Sequence, residues 1–223
     1  MPKRLAYLGP AGTNTEEAAL RYDPHAQLRP VPTFSAVAAA VATGLADEGI
    51  VAIENSLEGS VPATLDLLIH ESRLAIRAEL LLPIVHCLVV KPGTDPESIR
   101  VVFSHPQALG QCRSFLEAVY PKVETVAALS TAAAVEEALR SKVPAAAIST
   151  KRAAALYGAH ILAENILGDQ TNVTRFVVLA KEDHPRTGKD KTSIAFAFSE
   201  DKAGLLYATL GEFANRCINL TKV

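Results

Sequence analysis

The stretch that decides the fold is LAYLGPAGTNTEE (residues 5–17), an apolar run followed by a glycine-containing turn and the start of a helix. Thr13, Asn14 and Thr15 can each cap that helix, and the two glutamates that follow favour its first turn. The same order of strand, polar turn and helix recurs at residues 50–71, 101–119 and 145–157. Strands alternating with helices predict an α/β fold with largely parallel sheets, which bind ligands at the carboxyl ends of their strands.

Composition and charge favour a small-molecule ligand. The chain has 223 residues, of which 49% are hydrophobic and 21% charged, so it can fill a core. Its 22 basic and 24 acidic residues give a net charge of -2. A dedicated nucleic-acid or anionic-membrane binder normally shows a basic excess, so we expect neither partner. Helix N-termini at the polar turns favour a small anion such as a carboxylate.

Cysteine usage and hydropathy predict a soluble cytoplasmic protein. The three cysteines form no CxxC pair and the six histidines show no ligand spacing, so we expect no disulfide framework and no metal site. The longest apolar stretch, residues 80–90, is interrupted by Pro83 and His86. It is far shorter than the ~20 residues that a membrane span needs.

A change of character along the chain predicts two lobes. Residues 80–91 resemble one continuous apolar strand, and we place the lobe boundary near residue 78. A second long strand is predicted over 173–180, after the polar stretch GDQTN at 168–172.

The C-terminal part is predicted to be a separate, partial domain. Residues 182–191 are charged and contain proline and glycine, which is typical of a linker. Beyond it we predict a strand over 192–198, a helix over 203–215 and a strand over 218–223. This short strand–helix–strand unit cannot bury both faces of a sheet by itself.

Two polar clusters follow or begin predicted strands. Glu54, Asn55 and Ser56 come at the end of one strand and offer an acceptor and donors together; the alternative is a capped turn with a solvated acid. Arg175 either grips a carboxylate through two parallel hydrogen bonds or makes a surface ion pair. Thr174 can offer its hydroxyl to a ligand, while Phe176 is otherwise a core residue.

Five motifs, in this order, resemble the prephenate dehydratase family: Gly9–Thr13, Ile53–Val61, Ser104–Ala108, Gln111-Cys112 and Asn172–Phe176. They fall within residues 4–181. Residues 201–207 and 218–223 resemble the first half of the ACT regulatory domain that follows in this family. The family converts prephenate to phenylpyruvate, water and carbon dioxide in phenylalanine biosynthesis.

The resemblance implies a catalytic domain over 1–181 similar to type II periplasmic binding proteins. Its first lobe would comprise 1–78 with 169–181, its second lobe 79–168, and a partial ferredoxin-like α+β ACT domain would occupy 192–223. The family needs no cofactor and no metal. Its members form homo-dimers or homo-tetramers, and phenylalanine acts on an intact ACT domain.

The resemblance also implies roles for individual residues. The catalytic group comprises Thr174, Glu54, Asn55, Ser104 and Gln111. The substrate-binding group comprises Thr13, Ser56, Arg175 and Phe176. Thr174 would donate to the leaving oxygen, with Glu54 as a candidate proton relay. Two alternatives stay open, an arogenate dehydratase with the same motifs and a non-catalytic sensor of small carboxylates with the same fold.

Overall fold

The computed structural model describes residues 2–168 and 171–222, so Asp169 and Gln170 of the predicted polar stretch lie outside the described residues. The chain divides into two units, one ending at Arg186 and the other beginning at Thr187. Among the described residues, no helix combines the length and hydrophobicity that a membrane crossing requires.

The first lobe is built from alternating strands and helices. In chain order these are β1 (Arg4–Leu8), α1 (Asn14–Tyr22), β2 (Gln27–Val31), α2 (Phe34–Ala42), β3 (Glu48–Asn55), β4 (Gly59–Ser60), α3 (Pro62–Asp66), a π-helical turn (Leu67–Glu71) and β5 (Ala75–Pro83). Thr13, one of the three candidate caps, caps α1 by accepting from the Glu16 N–H. Proline at the first position of α3 costs no hydrogen bond, because that N–H has no helical partner.

The second lobe follows the same alternation. Its elements are β6 (Cys87–Val90), a 3₁₀ turn (Pro96–Ser98), β7 (Val101–Ser104), α4 (Pro106–Gln111), α5 (Arg113–Val119), β8 (Glu124–Ala127), α6 (Thr131–Arg140), β9 (Ala145–Ser149), α7 (Lys151–Tyr157) and β10 (His160–Ala163). The helix predicted over 106–119 is broken at Cys112, which separates α4 from α5. Gly158 ends α7 with a φ of +68°, a conformation that favours glycine.

The chain then returns to the first lobe as β11 (Val173–Ala180), so the predicted two-lobed α/β architecture is confirmed. The first sheet has the order β2-β1-β3-β11-β5, with β4 paired to β3, and the second has the order β10-β6-β9-β7-β8. Both sheets are mixed, which corrects the expectation of largely parallel sheets. The returning β11 runs antiparallel to β3 and β5, and β6 runs antiparallel to β9 and β10.

The lobe boundary lies later than predicted. Residues 80–91 form two strands in different sheets, because β5 pairs with β11 as far as Pro83 and β6 starts a new sheet at Cys87. The chain therefore crosses between the lobes at residues 84–86, and residue 78 lies inside β5. Both strands are apolar, so composition alone does not reveal the change of sheet.

Strand β11 shows why the first sheet is stable. Val177 and Leu179 pack into the core on one face, and Phe176 and Val178 pack into the core on the other. Side chains alternate along a strand, so one apolar strand supplies both cores. Each fully buried side chain of this kind contributes about 1.5–3 kcal/mol. The cleft end of β11 is thereby held on a rigid support.

The unit beginning at Thr187 has one helix, α8 (Leu205–Asn215). Within its described residues, no strand forms at 192–198 or 218–222, which corrects two sequence predictions. A strand requires a hydrogen-bonded neighbour, and none pairs with these described segments. The partial ACT domain stays a prediction.

Candidate functional site

A cleft of about 810 Å³ is lined by residues from both lobes. The turn after β1 and the end of β3 contribute from the first lobe, and the starts of α4 and α6 contribute from the second. Both segments that cross between the lobes also line it, through His86 and Asn172. The volume suits a small organic molecule.

Thr174 and Asn55 face each other across β11 and β3. The Asn55 side-chain oxygen accepts the N–H groups of Leu57 (2.9 Å) and Glu58 (3.1 Å), which fixes the orientation of its amide. Its Nδ2 therefore donates to Thr174 Oγ1 at 2.9 Å. With that oxygen already accepting, the Thr174 proton is directed to another acceptor, and the hydroxyl lines the cleft.

Gln111 joins this pair from the second lobe. Asn55 Nδ2 also donates to Asn172 Oδ1 at 2.7 Å, and Asn172 Nδ2 donates to Gln111 Oε1 at 3.0 Å. Gln111 Nε2 in turn donates to Glu58 Oε1 at 3.0 Å, back in the first lobe. The cleft is thus crossed by a continuous chain of side-chain hydrogen bonds.

His86 is a cleft residue for which the sequence favoured only a core or surface role. It is buried, and its Nε2 lies 2.9 Å from Gln111 Oε1. Burial lowers the pKa of His86, an effect that the hydrogen bond to Gln111 opposes. Because Gln111 presents an oxygen, Nε2 is the protonated nitrogen, while Nδ1 has no hydrogen-bond partner within the described structure.

Thr13 and Phe176 lie on the cleft wall, where the resemblance places substrate-binding residues. The Thr13 hydroxyl accepts from the Glu16 N–H at the start of α1, so the helix N-terminus opens on the cleft. Phe176 is almost fully buried and, with Ile84, forms an apolar part of the wall.

Glu54 and Arg175 lie on the opposite face of the first sheet from Asn55 and Thr174. The Arg175 Nη1 atom is 3.9 Å from Glu54 Oε2, and its Nε donates to Glu79 Oε2 at 2.6 Å. Neither Glu54 nor Arg175 lines the cleft. The expected direct relay from Glu54 to Thr174, and the expected anchoring of substrate by Arg175, are therefore corrected, because neighbours on a strand point to opposite faces.

The two serines have supporting contacts and do not line the cleft. Ser104 is fully buried and donates to the Ile148 carbonyl at 2.7 Å, which ties β7 to β9. Ser56 donates to the Thr171 carbonyl and accepts from the Val173 N–H, which ties the end of β3 to the start of β11. Their side chains stabilise the segments beside the cleft, which corrects the expectation of direct substrate contact.

A buried ionic contact joins the lobes beside the cleft. Glu16 of α1 pairs with Arg152 of α7, and the Gly12 N–H donates to Glu16 Oε2 at 2.8 Å. Burial of Glu16 raises its pKa, but hydrogen bonds from Arg152 and Gly12 outweigh this effect and lower its pKa overall. Gly12 has a φ of +87°, and a Cβ there would lie 3.1 Å from the Ala153 Cα, so only glycine fits this approach.

Electrostatically, the cleft wall is neutral at the level of its side chains. None of the described residues that line it is an aspartate, glutamate, lysine or arginine. An anion in this cleft would be bound by hydroxyls, amides, backbone N–H groups and the N-termini of α1 and α6. The described chain also contains no group of three or more His, Cys, Asp or Glu side chains that could hold a metal ion.

Comparison with known proteins agrees with this geometry. The sequence model of the prephenate dehydratase family matches residues 5–184. The chain is 42% identical over 223 residues to arogenate dehydratase/prephenate dehydratase 1, chloroplastic, of Arabidopsis thaliana, covering 99% of this chain and 56% of that protein. It is 42% identical over 222 residues to the bifunctional chorismate mutase/prephenate dehydratase of Aquifex aeolicus, covering 99% and 60%.

A solved structure supports the same relationship. Prephenate dehydratase from Arthrobacter aurescens, determined in complex with L-Phe, has a TM-score of 0.91 and 35% identity, covering 98% of this chain and 74% of that one. The chain spans 56% and 60% of the length of the two curated relatives named above.

Proposed function

The chain belongs to the prephenate dehydratase family, and we propose on that premise that it converts prephenate to phenylpyruvate, water and carbon dioxide in phenylalanine biosynthesis. The observation that carries the proposal is the hydrogen bond from Asn55 Nδ2 to Thr174 Oγ1. It occupies the oxygen of the hydroxyl and leaves its proton for an acceptor in the cleft.

In the proposed reaction, the bond between the ring and its carboxylate breaks and carbon dioxide leaves. The released electron pair forms a ring double bond as the C–O bond to the ring hydroxyl breaks. One proton, taken up from the solvent, is added to the departing hydroxide, which leaves as water, so atoms and charge balance. Thr174 donates a hydrogen bond to the departing oxygen, because a threonine hydroxyl is too weak an acid to give up its proton outright.

The neutral cleft suits this chemistry. The α1 and α6 N-termini and the Gln111 amide provide donors for the two carboxylates of the substrate. The apolar wall formed by Ile84 and Phe176 packs against the ring and limits water around the leaving carboxylate. Positioning of this kind and hydrogen-bond assistance are established sources of rate, and one donor to developing negative charge contributes roughly 10²–10³-fold.

Arogenate is the second candidate substrate, since the Arabidopsis relative is named for both dehydratase activities. We favour an enzyme over a sensor because Thr174, Asn55 and Gln111 converge on one cleft through ordered hydrogen bonds. We further propose phenylalanine as an effector, supported by the relative solved in complex with L-Phe. Homo-oligomer formation and a cytoplasmic location stay predictions from the sequence.

The test is to incubate the purified chain with prephenate and, separately, with arogenate, and to follow phenylpyruvate and phenylalanine. Matched reactions contain EDTA, and we expect equal rates with and without it, as the family resemblance implies. Turnover of prephenate at an enzymic rate supports the proposal. Turnover of arogenate alone assigns the second candidate, and binding of either compound without turnover supports the sensor and contradicts a dehydratase.

A further inference from the structure

Asn172 stands where the two segments that cross between the lobes meet. It immediately precedes β11 on the returning segment, and its carbonyl accepts the Ile84 N–H of the other segment at 2.8 Å. Its side chain is buried and lines the cleft. The backbone hydrogen bond and the burial together hold this side chain in one place.

In the side-chain hydrogen bonds through Asn172, the donor and the acceptor of each bond are fixed. The N–H groups of Leu57 and Glu58 require the Asn55 oxygen to face them, so Asn55 presents its NH₂ group to Asn172. Asn172 accepts with Oδ1, which leaves its own NH₂ group for Gln111. The orientation is thus set by two backbone N–H groups and passed on by each amide in turn.

The orientation of the Gln111 amide follows, because its oxygen must face the donors. Its Oε1 is bonded by Asn172 Nδ2 and His86 Nε2, one from each crossing segment, and its Nε2 donates to Glu58. A flipped Gln111 would face two donors with its NH₂ group and the Glu58 carboxylate with its oxygen. Two favourable contacts and one charge-assisted contact would be lost together.

We propose that Asn172 is a positioning residue, which sets the orientation of the Gln111 amide in the second lobe relative to the Thr174 hydroxyl in the first. The proposal deepens the dehydratase function and rests on it. Asn172 acts through its neighbours, so its removal should lower kcat more than it raises KM. Small errors of placement cost up to about 100-fold in rate.

The variant Asn172→Asp isolates the donor. It preserves the shape and the oxygen that accepts from Asn55, but replaces the NH₂ group that faces Gln111 Oε1 with a carboxylate oxygen. Once the introduced carboxyl is protonated, its O–H can donate to Gln111 again. Burial raises the pKa of a carboxyl, so this recovery should fall within an accessible pH range.

The other titratable groups near the Asn172 and Gln111 amides are present in both the wild type and Asn172→Asp. Glu58 and His86 contact Gln111, and His105 lines the same cleft. Dividing the activity of Asn172→Asp by that of the wild type at each pH removes the part of their titration that the substitution leaves unchanged, and Asn172→Ala, which adds no charge, shows that part by itself. Asn172→Ala removes both the donor and the acceptor, and offers no group that can recover on acidification.

The experiment measures kcat and KM for prephenate from pH 5.5 to 8.5, with circular dichroism to establish folding at each pH. We expect kcat of Asn172→Asp to be about 100-fold below wild type at pH 8 and to recover about tenfold relative to wild type at pH 5.5. The kcat of Asn172→Ala should be low across the whole pH range. Wild-type kcat in either variant at pH 8, or recovery that is equal or absent in both folded variants, would overturn the proposal.

A second readout separates this proposal from the dehydratase function. The side-chain ¹H–¹⁵N signals of Gln111, identified by their loss in Gln111→Leu, should shift in Asn172→Asp at pH 8 and return towards wild-type positions on acidification. If the wild type turns over neither prephenate nor arogenate, the dehydratase proposal fails. The amide signals still decide whether Asn172 orients Gln111, and unchanged signals in Asn172→Asp would refute that orientation.

Discussion

At the end of β3, the two faces of the first sheet carry different interactions: amide hydrogen bonds on the cleft face and an ion pair on the other face. Asn55 and Thr174 are buried and face the cleft, where they form part of a chain of amide hydrogen bonds. Glu54 and Arg175, their immediate neighbours in sequence, form an ion pair on the other face with side chains 32% and 25% exposed. A sequence motif on a strand therefore serves two surfaces, and along β11 the alternate residues Thr174 and Phe176 line the cleft.

The largest effect should follow from removing the cleft-facing hydroxyl. Thr174→Val keeps the shape of the side chain but has no proton to donate to the departing oxygen, so kcat for prephenate should fall by about 10²–10³-fold. Thr174→Ser retains the hydroxyl and serves as the matched control, with kcat expected within about tenfold of wild type. Steady-state kinetics on folded protein provides the measurement, and a Thr174→Val enzyme as active as Thr174→Ser would contradict the role.

A second comparison sets an ion pair whose carboxylate is buried, Glu16–Arg152, against one whose carboxylate is partly exposed, Glu54–Arg175. Glu16 of the Glu16–Arg152 pair is only 7% exposed, so Glu16→Gln should destabilise the protein by about 1–3 kcal/mol near pH 7. The pKa of Glu16 is lowered on folding, so its contribution is full above its ordinary pKa of 4.5. That contribution is lost as the pH falls through the lowered value.

Thermal unfolding from pH 3 to pH 7 tests whether the stabilisation by Glu16 decreases on acidification. The difference in Tm between wild type and Glu16→Gln should be greatest at neutral pH and should shrink as the solution becomes acidic. A difference that grows on acidification would contradict the assignment. Glu54→Gln provides the partly exposed counterpart and should change Tm very little, since exposed ion pairs contribute about 0–1 kcal/mol.

The smallest effect on catalysis should come from the face away from the cleft. Glu54→Gln keeps the size of the side chain and weakens its ion pair with Arg175 away from the cleft, so kcat should change by less than about tenfold. Glu54→Asp preserves the charge on a shorter side chain, so it distinguishes an effect of the charge from an effect of side-chain length. A loss as large as that of Thr174→Val would restore Glu54 as a proton relay and break the comparison between the two faces.

Local chemistry explains what could be predicted from the sequence. Helix capping acts within a few residues, and Thr13, one of three neighbouring residues that could cap α1, is the one that does so. Strand β11 was predicted with its observed ends because it is a continuous apolar run next to polar residues. The period of two along β3 does not separate Glu54 from Asn55, because a register shift near Ile53 breaks that period.

Long-range contacts explain what could not be predicted. Asn55 and Asn172 are 117 positions apart, and they meet only because β11 returns from the second lobe to pair with β3. His86 carries no local signal of its role, since it follows an apolar run and its partner is on α4. The two strands predicted near the C-terminus are wrong because hydrophobic alternation does not reveal whether a pairing strand is present.

The most direct test of the account measures prephenate turnover by Thr174→Val and Glu54→Gln side by side, with both proteins shown to be folded. The residues lie on paired strands but on opposite faces of the same sheet. We predict that kcat of Thr174→Val is lower than that of Glu54→Gln by at least about tenfold. Equal losses, or a greater loss in Glu54→Gln, would contradict the assignment of the cleft face as the site of the reaction.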